Sequence, residues 1–274
     1  MRDLDSRTIF ITGATDGLGR GIAEALAARG AQLLVHGRDA GRAETLAADQ
    51  RARGATAARV YLADLASLAE VRRMAAEVRD REPRLHVLVN NAGIGSTVPT
   101  SGRAESADGI ELRFAVNYLA HYLLTRELLP LLVASTPARI VNVSSIGQAA
   151  LDFDDPMLTR GYSGMRAYCQ SKLAQVMFTI DLAAELARAG VSANALHPAT
   201  YMPTKIVAHP VSTLAEGVDA TVRLIADPAL ATTTGKFFDG TRESKADPQA
   251  YQPSAREKLR ALSERLTRAT AQAG

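Results

Sequence analysis

Tyr168 and Lys172 stand four residues apart in RAYCQSKLAQVMF, residues 166–178, a segment with the apolar spacing of an amphipathic helix. At this separation the two side chains share one helical face, so the lysine ammonium can act on the phenol or on its partner. A neighbouring ammonium stabilises a phenolate and lowers the pKa of tyrosine from about 10 toward working pH, which favours proton transfer. A solvated Tyr/Lys pair on the surface is the alternative, and the rest of the chain must decide between the two.

A glycine-rich turn near the start of the chain has the composition of a phosphate-binding loop. Residues 9–26, IFITGATDGLGRGIAEAL, run from a buried strand into a helix, with Gly13, Gly17 and Gly19 between them in the spacing Gly-x-x-x-Gly-x-Gly. Glycines let the backbone approach a pyrophosphate, and the following helix offers N–H groups and the positive end of its dipole. The strand-turn-helix context indicates a bound dinucleotide, and a glycine-rich turn without a ligand is the alternative.

The composition of the chain excludes several classes of function. Its 274 residues are enough for one large α/β domain, and a net charge of +3 from scattered basic and acidic residues gives no basic stripe for nucleic acid. The single Cys169 excludes an intramolecular disulfide, and no Cys/His spacing indicates a metal site. No apolar run reaches the ~20 residues of a membrane span, and the first strand starts near Thr8, so we expect a cytoplasmic protein without a signal peptide.

Short apolar runs alternate with longer amphipathic runs along most of the chain, as in a mostly parallel sheet covered by helices on both faces. This pattern predicts an α/β fold, a single doubly wound (Rossmann-type) domain over residues 1–274. A charged helix at about 254–268 is expected to dock on the domain, and Ser67 with Glu70 predicts a capping box at a helix start. The predicted strands are Thr8–Thr12, Gln32–His36, Ala57–Leu62, His86–Asn90, Arg139–Ser144, Val191–Leu196 and Lys236–Phe238.

Four short motifs follow one another along the chain: TGATDGLG at 12–19, NNAG at 90–93, VNVSS at 141–145 and YCQSK at 168–172. Together they resemble the short-chain dehydrogenase/reductase family over roughly Thr8 to Thr204. The segments NYLAHYLLT and YCQSKLA are most similar to its retinol dehydrogenase-like and related bacterial members. The resemblance implies an NAD(P)-dependent oxidoreductase that interconverts an alcohol and a carbonyl by hydride transfer.

The resemblance also implies a catalytic set of Asn117, Ser145, Tyr168 and Lys172. In this set Tyr168 is the general acid/base, and Lys172 both tunes it and holds the nicotinamide ribose. Ser145, the second serine of its doublet, hydrogen-bonds the substrate oxygen and helps to stabilise the charge that develops there. Asn117 is a polar residue in an apolar helix, where it could hold a water for proton relay or simply bond to backbone.

The end of the second strand, LLVHGRD, predicts which dinucleotide binds. Gly37 leaves space and Arg38 offers a charged donor fork for a 2′-phosphate, which favours NADP, whereas Asp39 and Asp16 keep NAD possible. A surface arginine at a helix start is the alternative for Arg38. The cofactor-binding residues implied by the resemblance are Gly13, Thr15, Asp16, Gly17, Leu18, Gly19, Arg38, Asp64, Leu65, Asn90, Ala92, Gly93, Tyr168, Lys172, Pro198 and Thr204.

Two of these cofactor contacts depart from the family pattern or have a plain alternative. Asp64 with Leu65 resembles the pair that contacts adenine, and a simple turn aspartate is equally compatible with the sequence. After the sixth strand, Pro198 is followed by Ala199 where the family has glycine, so contacts there should differ slightly. The resemblance makes about 199–216 a mobile substrate loop, in which Thr200 or Thr204 would contact the cofactor and Thr204 is favoured.

Between Ser145 and Tyr168 the chain carries the insertion IGQAALDFDDPMLTRGYSGMRA, residues 146–167, which is longer than in compact members of the family. Its aspartates, proline and glycines predict a loop. The loop is either a wall of the substrate site or a surface excursion. Its candidate substrate contacts are Phe153, Met157, Leu158 and Tyr162, and their apolar character favours a hydrophobic small-molecule carbonyl or alcohol.

Two other functions remain open at this point. A non-catalytic dinucleotide-binding sensor would keep the fold without the chemistry, and an epimerase-type enzyme would use the nucleotide transiently. The resemblance further implies a homodimer or homotetramer, and the segment YCQSKLAQVMFTIDLAAEL has enough apolar surface to pack on a copy of itself.

Overall fold

One eight-stranded sheet runs through the computed structural model, which describes residues 2–97, 99–100, 102–203 and 210–272. The strand order is β3-β2-β1-β4-β5-β6-β7-β8, and each neighbouring pair is parallel except β7 with β8. The strands are β1 (Thr8–Ile11), β2 (Gln32–Gly37), β3 (Ala57–Leu62), β4 (Val87–Asn90), β5 (Ala138–Val143), β6 (Val191–His197), β7 (Phe237–Asp239) and β8 (Arg242–Ser244). The predicted α/β doubly wound fold is therefore confirmed, and the predicted strand ends differ from the observed ones by one residue at most.

Helices cover both faces of the sheet, as the run lengths predict. They are α1 (Gly17–Ala28), α2 (Ala40–Ala52), α3 (Leu68–Arg81), α4 (Ala120–Ala134), α5 (Gly164–Glu185), α6 (Leu214–Ala226) and α7 (Pro253–Gln272). Alternate residues of β1 point to opposite layers: Phe10 packs with α3, α4 and α5, while Ile9 and Ile11 pack with α1, α2 and α6. Among the described residues, no helix combines the length and the apolar content needed to cross a bilayer.

The last strand, β8, is the one element of the sheet that the sequence analysis missed. It pairs with β7 so that Asp239 faces Arg242, which leaves a two-residue loop of Gly240 and Thr241. Gly240 has φ 58°, the left-handed value that such a tight loop requires at its first position. The dipeptide Asp-Gly between two short runs was the available signal for this hairpin.

The direction of winding reverses between β1 and β4. Because β2 and β4 flank β1 and all of them are parallel, their carboxyl ends open one crevice, called the cleft below. The first residues of the chain lie at the other end of the sheet. Arg2 donates to Gly54 O before β3, Asp3 pairs with Arg29 before β2, and Arg7 donates to Pro137 O before β5.

The terminal helix α7 packs against α3 and α5, in agreement with the predicted docking. Leu259 and Leu262 are buried in the same core cluster as Phe178 of α5, and the Ser263 hydroxyl bonds the Tyr118 hydroxyl at 2.6 Å. The apolar side of α5 that the sequence offered for contact with a second copy is thus already buried within the single chain.

Candidate active site

The side chains of Tyr168, Lys172 and Ser145 come together at the carboxyl end of β5. Tyr168 and Lys172 lie in the first turns of α5, which begins where the Ser163 hydroxyl accepts a hydrogen bond from Arg166 N–H. The Lys172 ammonium is 5.8 Å from the centre of the Tyr168 ring. Ser145 follows β5 by two residues, and its hydroxyl accepts from Gly147 N–H at 3.0 Å and lies close enough to the Tyr168 phenol to lower its pKa. The neighbouring serine, Ser144, instead donates to the Lys172 carbonyl oxygen.

The electrostatics of this group differ from the sequence-based expectation. Burial raises the pKa of the Tyr168 phenol, and the neighbouring Ser145 hydroxyl opposes that rise only in part. Burial also lowers the pKa of Lys172 to about 7, because the amine has left water. In the chain alone the pKa of Tyr168 is therefore raised, opposite to the lowering predicted from the neighbouring ammonium, because desolvation is the largest contribution.

Asn117 lies in a π-helical turn, Phe114–Leu119, that leads directly into α4, where the sequence predicted ordinary helix. Its side chain accepts from Ile94 N–H at 2.8 Å and donates to Ile94 O and to the Ser171 hydroxyl. Asn117 therefore joins the segment after β4 to α5 beside Lys172. Single π turns are frequent at functional sites, and this one carries a predicted catalytic residue.

The glycine turn leaves room on the other side of the cleft. Gly13 has φ 64°, and a Cβ placed on it would come within 2.9 Å of the Ala92 Cα. A Cβ on Gly19 would overlap Gly13 O and lie 2.6 Å from the Asn91 amide nitrogen. Only glycine fits at both positions, so the turn, the NNAG segment and the start of α1 can approach one another and a phosphate closely.

Two buried histidines that the sequence analysis passed over hold this turn and its neighbours. His36 accepts from Gly13 N–H through Nδ1 at 3.0 Å and donates from Nε2 to Ala63 O, and burial lowers its pKa to about 4. His121 bonds the Asn117 carbonyl through Nδ1 and the Thr12 hydroxyl through Nε2. Both rings are neutral and fixed, because each nitrogen has a defined partner.

Thr12 and Asn91, which the sequence analysis also passed over, fasten the NNAG segment to the glycine turn. The Thr12 hydroxyl accepts from the backbone N–H groups of Asn91 and Ala92 at 2.9 and 3.0 Å. The Asn91 side-chain amide donates to Thr12 O and to Gly13 O. Their signal was position alone, since each stands at the end of a strand that borders the cleft.

Four charged side chains surround the end of β2, where the adenosine ribose was predicted. Arg38 is exposed and its guanidinium is 3.8 Å from the Asp64 carboxylate. Arg42, in the first turn of α2, pairs with Asp16 at 3.1 Å and donates to Thr15 O. Asp16 also accepts from Gly17 N–H as the N-cap of α1. Arg42, four residues after Arg38, was not among the predicted cofactor residues.

The remaining predicted cofactor residues occupy different environments. Asn90 is fully buried and donates to the Asn142 and Thr125 side chains, so it braces the sheet and does not line the cleft surface. Leu65 is buried in the core beside α3. Gly93 is exposed at the cleft, where a Cβ would lie 3.6 Å from the Lys172 amine. Leu18 and Pro198 are buried, Ala92 and Thr15 are half-buried, and Thr204 lies outside the described residues.

The comparisons with known proteins decide the family. A sequence profile of the short chain dehydrogenases matches residues 7–213. The chain belongs to the short-chain dehydrogenase family. Retinol dehydrogenase 13 of Homo sapiens is 37% identical to this short-chain dehydrogenase, over 96% of this chain and 85% of that protein. Retinol dehydrogenase 14 of Mus musculus is 35% identical, over 95% and 86%.

Solved structures show the same relationship. A protein from Shigella flexneri described as a short chain dehydrogenase, complexed with NADP, has 26% identity and a TM-score of 0.72, over 88% of this chain and 99% of that one. A protein from Beutenbergia cavernae described as an NAD(P)-dependent gluconate 5-dehydrogenase, with bound NADP, has 31% identity and a TM-score of 0.69, over 86% and 95%. This chain is thus an oxidoreductase of the short-chain dehydrogenase type, and a nicotinamide dinucleotide is its cofactor.

The cleft of this short-chain dehydrogenase fits such a group. The space kept clear at Gly13 and Gly19 adjoins the N-terminus of α1, where N–H groups and the helix dipole favour a pyrophosphate. At the other end of the cleft, Lys172 is a buried donor beside the Tyr168 phenol, suited to ribose hydroxyls.

Proposed function

We propose that this short-chain dehydrogenase interconverts a hydrophobic carbonyl compound and its alcohol, prefers NADP, and uses Tyr168 as its general acid/base. The observation that carries the proposal is the grouping of the Tyr168 phenol, the Ser145 hydroxyl and the buried Lys172 amine at one end of the cleft. A phenol and a hydroxyl that lie close together can both form a hydrogen bond with one substrate oxygen. Proton transfer and hydrogen bonding would then act on the same atom.

The bound dinucleotide supplies the hydride in carbonyl reduction and accepts it in alcohol oxidation. Tyr168 gives a proton to the substrate oxygen in the first direction and removes one in the second, while Ser145 donates a hydrogen bond to that oxygen. Lys172 donates to Val143 O at 2.9 Å and to Gln175 Oε1 at 3.1 Å. In its protonated form this amine has three donors, so one beyond these two contacts can hold a ribose hydroxyl.

In this scheme Asn117 would hold neighbouring segments in place and would not take part in proton transfer through its side chain. Its side-chain oxygen and nitrogen already bond Ile94 and Ser171, so the predicted relay water would have to use its main chain, whose carbonyl also bonds His121. We therefore assign Asn117 the role of holding the Gly93 side of the cleft against α5. This placement keeps the Lys172 amine beside the phenol.

Arg38 and Arg42 support the preference for NADP. Asp16 in the glycine turn would repel a 2′-phosphate, but Arg42 neutralises it at 3.1 Å. Arg38 remains 72% exposed and pairs with Asp64 only at 3.8 Å, so its donor fork can rotate toward a phosphate. The two guanidiniums balance the charges of Asp16 and Asp64, so these four side chains present no net negative charge to a 2′-phosphate.

A hydrophobic substrate is supported by exposed apolar side chains in the segments next to Ser145 and Tyr168 and in the segment of Tyr201. Ile146 follows Ser145, and Met165 precedes Tyr168 by about one turn of α5. Tyr201 lies near enough to Tyr168 to affect its titration. Val211 donates its backbone N–H to Tyr201 O. All four residues are exposed, with side chains 49% to 71% accessible, and they would give an apolar mouth to the cleft.

The test is consumption of NADPH by the purified protein with a panel of aldehydes and ketones of increasing apolar size. Tyr168→Phe should lower kcat by roughly 10²- to 10⁴-fold, the usual range for loss of a general acid. Tyr118→Phe is the matched control, because that hydroxyl bonds Ser263 away from the cleft. Equal rates for wild type and Tyr168→Phe would exclude the assigned mechanism. Binding without turnover would favour a sensor, and product formation without net loss of NADPH would favour an epimerase-type reaction.

A further inference from the structure

Arg113 is a fully buried arginine that stands four residues before Asn117. Its guanidinium donates to Gly95 O at 2.9 Å, to Ser96 O at 2.8 Å, to Thr100 O, and to the Tyr162 hydroxyl at 2.6 Å. Three of these acceptors belong to the loop that follows the NNAG segment, and the fourth belongs to the insertion between Ser145 and Tyr168. One side chain therefore bonds two separate segments, one that follows Gly93 and one that lies between Ser145 and Tyr168.

We infer that Arg113, Glu111 and Tyr162 form a clamp that positions the substrate walls of the cleft and thereby sets which carbonyl compounds fit. The inference rests on the proposed function, because it concerns the substrate of that reaction. Arg113 and its two partners are positioning residues in this scheme. None of them is assigned a contact with the reacting atoms.

The chemistry of the clamp requires a tyrosine at position 162. Its hydroxyl accepts from Arg113 and donates to Glu111 Oε1 at 3.0 Å, so it links a buried cation to a buried carboxylate. The direct distance between Arg113 and Glu111 is 3.7 Å, beyond a good hydrogen bond. Burial raises the pKa of Tyr162 to about 12, so the hydroxyl keeps the proton that it donates. Phenylalanine would leave both charged partners short of one bond.

Glu111 connects the clamp to the π turn that carries Asn117. Its other carboxylate oxygen accepts a hydrogen bond, at 2.7 Å, from the backbone N–H of Phe114. Phe114 is the first residue of the π turn that contains Asn117. Asn117 in turn bonds Ile94, at the start of the loop that Arg113 holds. The loop after β4, the π turn and the insertion are thus connected as one unit beside Gly93.

The insertion is also fixed on its far side, so the clamp acts on a defined wall. Leu151 exchanges two backbone hydrogen bonds with the Gln249 side chain near the start of α7, at 2.7 and 3.1 Å. Arg103 donates to Met157 O, and Leu158 is buried. With both sides attached, a change at Tyr162 should shift the wall without unfolding it.

The position of the clamp predicts a selective kinetic effect. Tyr162 belongs to the segment that leads into the Tyr168 turn, whereas the glycine turn lies across the cleft and shares no clamp residue. Loosening the clamp should therefore change KM for the carbonyl substrate and leave cofactor binding intact. The effect should grow with substrate size, because a bulky apolar group touches more of the wall than a small one does.

The experiment compares Tyr162→Phe with the matched control Tyr61→Phe. The Tyr61 hydroxyl likewise donates to a buried glutamate, Glu82, which pairs with Arg59, but this group lies between β3 and the end of α3. For Tyr162→Phe we expect KM for bulky carbonyls to rise about tenfold, equivalent to about 1.4 kcal/mol, with kcat and the Kd for NADPH within roughly twofold of wild type. Tyr61→Phe should leave all three constants unchanged.

Hydrogen exchange gives a second readout that needs no turnover. Tyr162→Phe should accelerate amide exchange in both 94–97 and 148–162, because the clamp joins them, and Tyr61→Phe should accelerate it in neither.

Unchanged exchange in either segment, or an unchanged KM for bulky carbonyls in an active enzyme, would overturn the clamp. Absence of turnover in wild type would overturn the proposed function instead, and exchange would still decide the clamp. Glu111→Gln, which keeps an acceptor for the Tyr162 hydroxyl, should show smaller changes in the same direction and replaces Tyr162→Phe if that variant does not fold.

Discussion

Lys172 is a buried amine that bonds two neutral oxygens, Val143 O and Gln175 Oε1. Burial lowers its pKa to about 7, so at neutral pH a large part of the population carries no charge. Such an arrangement works against folding, because a buried cation has lost its water. A residue that a fold holds at this cost is a strong candidate for function.

Replacing Lys172 by methionine should therefore change activity and the pH dependence of stability together. In wild type the folded pKa is about 7 and the unfolded value is ~10.4, so between these limits only the unfolded chain holds the proton. The free energy of unfolding of wild type should then rise with pH, by at most about 1.4 kcal/mol per unit.

Lys172→Met should lack this rise and should lower kcat/KM by roughly a hundredfold or more. The measurement is urea unfolding of both proteins at about pH 7 and about pH 9. Tyrosines and other lysines titrate in both proteins, so the difference between the two curves isolates Lys172. Parallel curves would show that the Lys172 amine is not buried as described.

At the scale of the elements, α7 connects the end of the chain to the core. Leu259 is 2% exposed and packs in the cluster that contains α3, α4 and α5. Arg260, on the next position, is exposed and pairs with Asp181 at 3.5 Å. Substitutions at these two neighbouring residues therefore distinguish the stability contributed by apolar burial from that contributed by a surface ion pair.

Leu259→Ala should lower the free energy of unfolding by about 2–4 kcal/mol through the lost burial and the cavity left behind. Arg260→Ala should lower it by less than about 1 kcal/mol, as expected for an exposed pair. Chemical denaturation of the two variants beside wild type makes the comparison. A small effect of Leu259→Ala would mean that α7 contributes little to the core that α5 shares.

Elements with strong local patterns could be predicted from the sequence, and those set by distant contacts could not. The strands of the parallel sheet are short and mostly apolar runs between longer amphipathic ones, so their positions could be predicted directly. The predicted capping box at Ser67 formed only in part, because the Glu70 carboxylate accepts from Asp64 N–H and not from Ser67. The π turn around Asn117 carries no local signal, since the bonds of Asn117 reach Ile94 and Ser171 in other segments.

The same distinction between local patterns and distant contacts explains which residues of the candidate site could be predicted from the sequence. Motifs within a few residues, such as Tyr168 with Lys172, were visible in the sequence. Arg113 with Tyr162 and His121 with Thr12 are separated by 49 and 109 residues, and only the folded sheet brings them together. A single sequence gives residue types but no distances between such partners.

At the scale of the whole molecule, cofactor preference should appear in thermal stability. A ligand that binds only the folded chain stabilises it by RT ln(1 + [L]/Kd), about 2.7 kcal/mol at a hundred times Kd. NADP⁺ should raise Tm more than the same concentration of NAD⁺, since Arg38 and Arg42 flank the end of β2. Arg42→Ala should reduce the NADP⁺ shift and leave the NAD⁺ shift unchanged.

Arg20→Ala is the matched control for that experiment, because Arg20 pairs with Glu24 and Asp49 on the outer surface of α1 and α2. It should retain the full NADP⁺ shift in a thermal melt. Equal shifts by both dinucleotides in wild type would show that the two arginines do not discriminate between them.

The first described residues are fastened at the amino ends of the strands, through Arg2, Asp3 and Arg7, while the cleft opens at the carboxyl ends. A biotin or an affinity tag placed ahead of Arg2 would therefore sit on the opposite pole of the molecule from the nucleotide. Protein captured by that handle on a sensor chip should present its cleft to the flowing solution. Immobilisation from this end would then leave dinucleotide exchange unhindered.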